Sequence, residues 1–154
     1  EETFALEKAC VEHELPRVLA NLTKILTALH QAAPGVAIAG MSYWNPFLGL
    51  WVIAGPDGEA LARKSDQAMR ALNAGLVSTF HDGGAVVAYV GAPAYFDIAN
   101  FTTQVNTTRW GRVPANVAQA CRWTFFCDER GADPHPNTQG YGVIADAFAA
   151  ALDL

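Results

Sequence analysis

The feature that most constrains the fold is the run of residues 36–43, which contains no charged side chain. Pro34 and Gly35 precede this run, and Pro46 follows it. A short apolar run between such turn signals is typical of a strand covered on both faces, as in a parallel sheet. We therefore expect a buried strand at 36–43, with helices supplied by the flanking sequence.

Three segments show the apolar spacing of amphipathic helices: residues 16–31, 59–80 and 139–152. Pro16 suits the first turn of the first helix, where its missing N–H costs no hydrogen bond. Two further strands are expected at 85–90 and 122–126. Between these elements we expect a short helix or loop at 47–53, a turn at 55–58, and mostly loop at 91–120.

This alternation of helices and strands predicts an α/β fold, with parallel strands joined by crossover helices. Helices on both sheet faces would make a three-layer sandwich within a single domain. Three strands are few for such a sheet, so we expect one or two more from sequence that precedes this chain. The chain opens on Glu1 and Glu2 without a signal peptide, which indicates a processed protein or a piece of a longer one.

Composition excludes several classes of function. Apolar residues make up 51 % of the chain and charged residues 16 %, which favours a compact fold over disorder. The net charge is −5 and Lys and Arg do not cluster, so a nucleic-acid partner is not expected. No uncharged apolar run reaches the roughly 18 residues that a membrane span needs.

The chain has three cysteines, Cys10, Cys121 and Cys127. A bridge between the last two would close a tight loop and contribute about 2 kcal/mol by loop entropy. Cys10 is then left over, and in a secreted protein an odd cysteine indicates a partner elsewhere. The alternative is that all three are buried free thiols of a cytosolic protein.

The segment around His135 carries the chemistry. Pro134 and Pro136 restrict the backbone on both sides of the histidine. Residues two apart in an extended chain point to the same side, so Asp133 can reach Nδ1 and leave Nε2 as a general base. The simpler alternative is a surface histidine that precedes a helix capped by Asn137 or Thr138.

The block Asp-Pro-His-Pro-Asn from residue 133 to 137, followed by Gly140 and Tyr141, resembles the last block of the SGNH (GDSL-type) hydrolases. Secreted actinobacterial lipases and esterases are the most similar type. Three other stretches resemble the same type: residues 21–34, the strand that ends in 43–47, and residues 113–124. Together they cover most of the chain.

This resemblance implies that residues 1–154 are the C-terminal portion of one SGNH hydrolase domain with a flavodoxin-like, three-layer fold. It implies secretion and a Ser–His–Asp esterase or lipase that needs no metal or organic cofactor. His135 would move the proton and Asp133 would orient it. The substrate would be a small-molecule or lipid ester. The serine would lie on an N-terminal fragment of the same protein, with Cys10 as a candidate link to it.

The chain departs from the family in two ways. The Gly-Asp-Ser and Gly-x-Asn-Asp motifs are absent from it. The family's acid lies three residues before the histidine, where this chain has Ala132, so Asp133 must serve, with Asp128 and Glu129 as alternatives. The serines at 42, 65 and 78 do not occur in the strand–turn–helix context of a nucleophile elbow.

Aromatic residues occur at the end of the first predicted strand: Tyr43 is its last residue, and Trp44 and Phe47 follow it. Ligands of open α/β sheets bind beyond the carboxyl ends of the strands, so these side chains are candidates for an acyl-chain pocket. Core packing explains them equally well. For the whole chain the alternative function is a non-catalytic α/β binding or scaffold module that retains the fold.

Overall fold

The structure is a computed structural model that describes residues 8–128 and 133–154. Two predictions lie outside this described part: a partner for the side chain of Cys10, and Glu129 as a candidate acid. The elements in chain order are α1 (Lys8–Ala32), β1 (Ala39–Met41), a 3-10 helix (Pro46–Gly49), α2 (Leu50–Ile53), α3 (Gly55–Asp82), β2 (Val86–Ala88), β3 (Gln104–Thr107), β4 (Gly111–Pro114), α4 (Ala115–Trp123) and α5 (Thr138–Leu152). The fold is therefore mixed α/β.

A parallel strand pair, β1 with β2, lies between helices. Gly40 is opposite Val87, and a Cβ at Gly40 would lie 2.2 Å from the ring of Phe80 in α3. Only a glycine lets that ring approach the strand so closely. The next residue, Met41, points to the opposite face, into an apolar cluster that includes Ala147 of α5.

The strands predicted at 36–43 and 85–90 are confirmed in shortened form, but the third one is wrong. Arg122 and Trp123 end α4, and the residues after them form a turn. Residues 122–126 are too few for periodicity alone to separate a strand from the end of a helix. The described residues thus contain one two-stranded parallel sheet, and the expected three-layer sandwich is not confirmed.

Residues 91–120 are mostly loop, as the sequence predicts, but they also include regular elements that it does not predict. They contain the antiparallel hairpin of β3 and β4, in which Val105 lies opposite Val113, and most of α4. The buried side chain of Asn116 donates from Nδ2 to the carbonyl of Ile98 at 3.0 Å. Helix α4 is thus joined to a loop eighteen residues earlier in the sequence by a contact that no local pattern reports.

Two predicted helix starts are also wrong. The first helix begins at Lys8, so Pro16 lies inside it rather than in its first turn. The apolar spacing continues across Pro16 from Leu15 to Leu19, and the helix continues with it. The turn predicted at 55–58 is instead the first turn of α3, where Pro56 fits because the first N–H groups of a helix have no intrahelical partner.

Helix α1 packs along α3 at Gly75 and at Gly83, the residue that directly follows α3. A Cβ at Gly75 would meet the side chain of Leu19, and one at Gly83 would meet Leu26. His30 near the end of α1 donates from Nε2 to the carbonyl of Gly83 at 2.7 Å. In the described part of the chain, no helix is long and apolar enough to cross a membrane.

Candidate functional site

The contact predicted between Asp133 and His135 is present. Oδ1 of Asp133 lies 2.6 Å from Nδ1 of the imidazole and also accepts the backbone N–H of His135 at 2.9 Å. The carboxylate is acceptor-only when ionised, so in the neutral ring Nδ1 carries the proton and Nε2 carries the lone pair. Among the described residues no group hydrogen-bonds to Nε2.

Both side chains are open to solvent, with 74 % of the His135 side chain and 52 % of that of Asp133 exposed. The backbone N–H of His135, and secondly its ring, hold the pKa of Asp133 below the usual range of an aspartate. The carboxylate is therefore ionised near neutral pH. An imidazole bonded at one nitrogen and open at the other is the arrangement of a general base.

The segment after His135 is held by Asn137. Its Oδ1 caps α5 by accepting the N–H groups of Gln139 and Gly140 at 3.0 and 3.1 Å. Its Nδ2 donates to the carbonyl of Arg122 at 2.8 Å. The sequence predicts the cap through Asn137 or Thr138, and the structure assigns it to Asn137. The second bond, to a residue fifteen positions away, has no sequence signal.

The His135 segment is joined by a series of contacts to Trp44, which follows β1. Trp44, three residues beyond β1, stacks on Phe96 with ring centroids 5.6 Å apart. Phe96 in turn meets the edge of Trp123 at 5.1 Å. The carbonyl of Trp123 accepts the N–H of Asn137 at 2.9 Å. Trp44 lies just beyond the carboxyl end of β1, and in open α/β sheets ligands bind beyond such strand ends.

The three aromatic candidates lie in different settings. Tyr43 is 45 % exposed. Trp44 is partly buried in the ring stack, with Nε1 buried and without a hydrogen-bond partner in the structure. Phe47 is half-buried in the 3-10 helix, and its N–H is bonded to Oδ1 of Asn45. The stack shows that Trp44 packs against the core, and any role of the three in substrate binding remains a prediction.

A residue that the sequence analysis missed, Asn73 of α3, fixes the backbone of Tyr43. Its Oδ1 accepts the N–H of Tyr43 at 2.7 Å, and its Nδ2 donates to the carbonyl at 2.9 Å. The amide thus pairs with Tyr43 as a strand neighbour would. Asn73 also lines an open cavity of about 380 Å³, together with Ser42 and Tyr89. Neither Asp133 nor His135 lines this cavity.

The three serines all have structural partners. Ser65 is fully buried and exchanges hydrogen bonds with Asn45, and its hydroxyl also lies 2.8 Å from the carbonyl of Ala62. Ser42 is 4 % exposed and accepts the N–H of Gly91. Ser78 bonds to Asp82. None of these hydroxyls is bonded to His135, so the chain's own serines do not complete a triad in this structure.

Cys121 and Cys127 form a disulfide, with their Cα atoms 5.0 Å apart. Asp128 follows directly, and its N–H donates to the carbonyl of Phe125 at 3.0 Å. Within residues 8–128 and 133–154, no group of three or more His, Cys, Asp or Glu side chains is placed to hold a metal ion.

No family model matches this chain, and no curated protein or solved structure matches it.

Proposed function

We propose that this chain is the C-terminal part of a secreted SGNH-type serine esterase and supplies the histidine and aspartate of its triad. The observation that carries the proposal is the 2.6 Å contact between Asp133 and Nδ1 of His135, with Nε2 unoccupied among the described residues. The resemblance of residues 133–141 to the last SGNH block supports it. So does the series of contacts that joins this segment to Trp44, beyond the end of β1.

The chemistry that fits this arrangement is acyl transfer through serine. Nε2 of His135 takes the proton of a serine hydroxyl as its oxygen attacks the ester carbonyl. The protonated ring then gives the proton to the leaving alcohol as the carbon–oxygen bond breaks. Water repeats the attack on the acyl-enzyme, with the same nitrogen as base, and releases the acid. Asp133 keeps Nδ1 protonated throughout and stabilises the imidazolium that forms in each step.

The proposal must account for the exposure of Asp133 and His135 to solvent. Transition-state stabilisation is strongest where water is excluded, whereas His135 and Asp133 are 74 % and 52 % exposed. We infer that a segment outside these 154 residues covers the pair and brings the serine to Nε2. The same segment would supply the oxyanion hole, because the family's Gly and Asn motif is absent from the chain.

The substrate class is a carboxylic ester, small or lipid-like. The disulfide between Cys121 and Cys127 is compatible with an extracellular location, where such bonds persist. Tyr43, Trp44 and Phe47 are the side chains we propose for the acyl chain. Trp44 is joined to the His135 segment through its stack on Phe96, which meets Trp123.

A fluorophosphonate probe tests the nucleophile directly. The attacking serine oxygen displaces fluoride and remains bonded to phosphorus, so peptide mapping locates it. In the complete natural polypeptide that contains these residues, we expect one labelled serine, outside positions 42, 65 and 78. Heat-denatured protein is the control and should not react.

Labelling at Ser42, Ser65 or Ser78 would show that the triad is built differently from this proposal. A folded polypeptide with neither labelling nor ester turnover would favour the alternative of a non-catalytic α/β module. Intact mass with and without reductant shows in the same experiment whether a second polypeptide is attached.

A further inference from the structure

We propose that the loop closed by Cys121 and Cys127 is the positioning element for the Asp133–His135 pair. This inference deepens the proposed function and rests on it for its catalytic consequence. The loop would act through backbone hydrogen bonds to residues 135–137, and its residues would not touch substrate. The disulfide would then hold the base in place in addition to stabilising the fold.

The contacts between Asp133 and His135 do not by themselves fix the position of the pair. Its two side chains are more than half exposed, and exposed ion pairs contribute little because water competes for them. The bond of Asp133 to the backbone N–H of His135 joins residues two apart. It does not fix where the pair lies on the protein, and it leaves the exposed contact between Oδ1 and Nδ1 open to competition from water.

The hydrogen bonds that fix the backbone of residues 135–137 are made to the disulfide loop. The N–H of Phe125 donates to the carbonyl of His135 at 3.0 Å, and the N–H of Asn137 donates to the carbonyl of Trp123 at 2.9 Å. Nδ2 of Asn137 reaches the carbonyl of Arg122 at 2.8 Å. All three partners belong to the five residues enclosed by the two cysteines.

The disulfide loop is itself fixed to the core. Thr124, 3 % exposed, donates to the carbonyl of Ala120 at 2.6 Å and accepts the N–H of Phe126 at 3.2 Å. Cys121 and Cys127 are buried in the apolar cluster that also contains Phe126. The connection therefore runs from the core through the disulfide loop to His135.

A competing account is that the N-terminus of α5 alone positions the histidine through its cap. The variant Asn137→Asp separates the two accounts. It keeps an oxygen for the N–H groups of Gln139 and Gly140, but it loses the Nδ2 donor to Arg122. If the cap alone matters, His135 is unaffected by this change.

The experiment uses the double variant Cys121→Ala and Cys127→Ala in the complete polypeptide. Alanine suits the apolar cluster better than serine. The first readout is the tautomer of His135 by ¹⁵N nuclear magnetic resonance, which does not depend on turnover. The wild type should show Nδ1–H, and the double variant a mixture of both tautomers. Ring signals of His30, which is bonded to Gly83 far along the chain, should not move and so report an intact fold.

The second readout is ester hydrolysis. We expect kcat to fall by roughly 10- to 100-fold with KM little changed, because a displacement of about 1 Å can have an effect of that size. Asn137→Asp should change the tautomer in the same direction. Should the double variant not fold, this single variant carries the test.

An unchanged Nδ1–H tautomer and unchanged kcat in a folded double variant would overturn the positioning role. An unchanged tautomer and unchanged kcat in a folded Asn137→Asp variant would overturn it as well. Failure of the proposed function looks different: the wild type has no ester turnover, while its tautomer still depends on the cysteines.

Discussion

The carbonyl oxygen of Trp123 lies against the backbone of Gly140, so closely that a Cβ on Gly140 would be 2.0 Å from it. This contact brings the last residue of α4 against the first turn of α5, directly beside the His135 segment. The glycine of the Asn-x-x-Gly pattern is therefore needed for packing between the two helices.

Gly140→Ala should move α5 away from α4 and disturb the bond between Asn137 and Trp123. Overpacking of this kind costs about 1–3 kcal/mol, and a loss of free energy of unfolding in that range is expected by urea denaturation. Ester turnover should fall as well. Gly142→Ala is the matched control, because no atom lies within 4 Å of its Cβ position. It should stabilise the helix by up to about 1 kcal/mol. Equal effects at both sites would contradict this packing.

The depressed pKa of Asp133 has two sources that can be separated. His135→Ala removes the ring but keeps the backbone N–H at that position. Because the backbone bond is the larger cause, the pKa should rise only part of the way to its ordinary value. Carboxyl ¹³C titration measures this shift. A return to the ordinary aspartate pKa would mean that the ring supplies nearly all of the effect.

The same shift gives a direction for stability against pH. The pKa of Asp133 is lower in the folded protein than in the unfolded chain. Its contacts therefore stabilise the fold above the unfolded pKa, and this contribution is lost as the pH falls through the folded pKa. Denaturation of Asp133→Asn and wild type at neutral and acid pH should show the difference between them shrinking at acid pH. A difference that grows would have the wrong sign.

Asp133→Asn should lower turnover because the amide can donate to Nδ1 and so favour the wrong tautomer. A loss of roughly 10³-fold or more in kcat is expected if Asp133 is the triad acid. Asp146→Asn, an exposed aspartate of α5, is the control and should leave the rate unchanged. A normal rate in Asp133→Asn would shift the acid's role to Asp128.

Ser42→Ala tests whether the one serine that lines the cavity takes part in the reaction. The proposal predicts turnover like that of the wild type. Stability should fall by about 1 kcal/mol, because the N–H of Gly91 loses its acceptor. Complete loss of turnover in a folded Ser42→Ala variant would place the nucleophile within this chain.

The site could be predicted from sequence because its defining contact is local. Asp133 and His135 are two residues apart, and Pro134 and Pro136 restrict the backbone that brings the two side chains within reach of each other. The cap by Asn137 is local in the same way. Its bond to Arg122 and the contact of Gly140 with Trp123 bring together α4 and α5, and no spacing in the sequence reports such contacts.

The same difference between local patterns and distant contacts explains which elements of the fold could be predicted from the sequence. The helices around 16–31, 59–80 and 139–152 have long apolar stripes, and all three are present. The hairpin of β3 and β4 has strands of four residues each, too short for alternation to be recognised. The strand predicted at 122–126 is wrong because Arg122 and Trp123 are the last residues of α4, and the chain then turns between the two bridged cysteines.

The central claim is that His135 acts as the general base of an ester hydrolase, and p-nitrophenyl acetate hydrolysis tests it most directly. The variants are His135→Ala and, as control, His81→Ala, which removes an exposed ring near the end of α3. The account predicts that kcat falls by on the order of 10⁴-fold or more in His135→Ala and stays at the wild-type value in His81→Ala, with both proteins folded. Wild-type turnover in folded His135→Ala would contradict it.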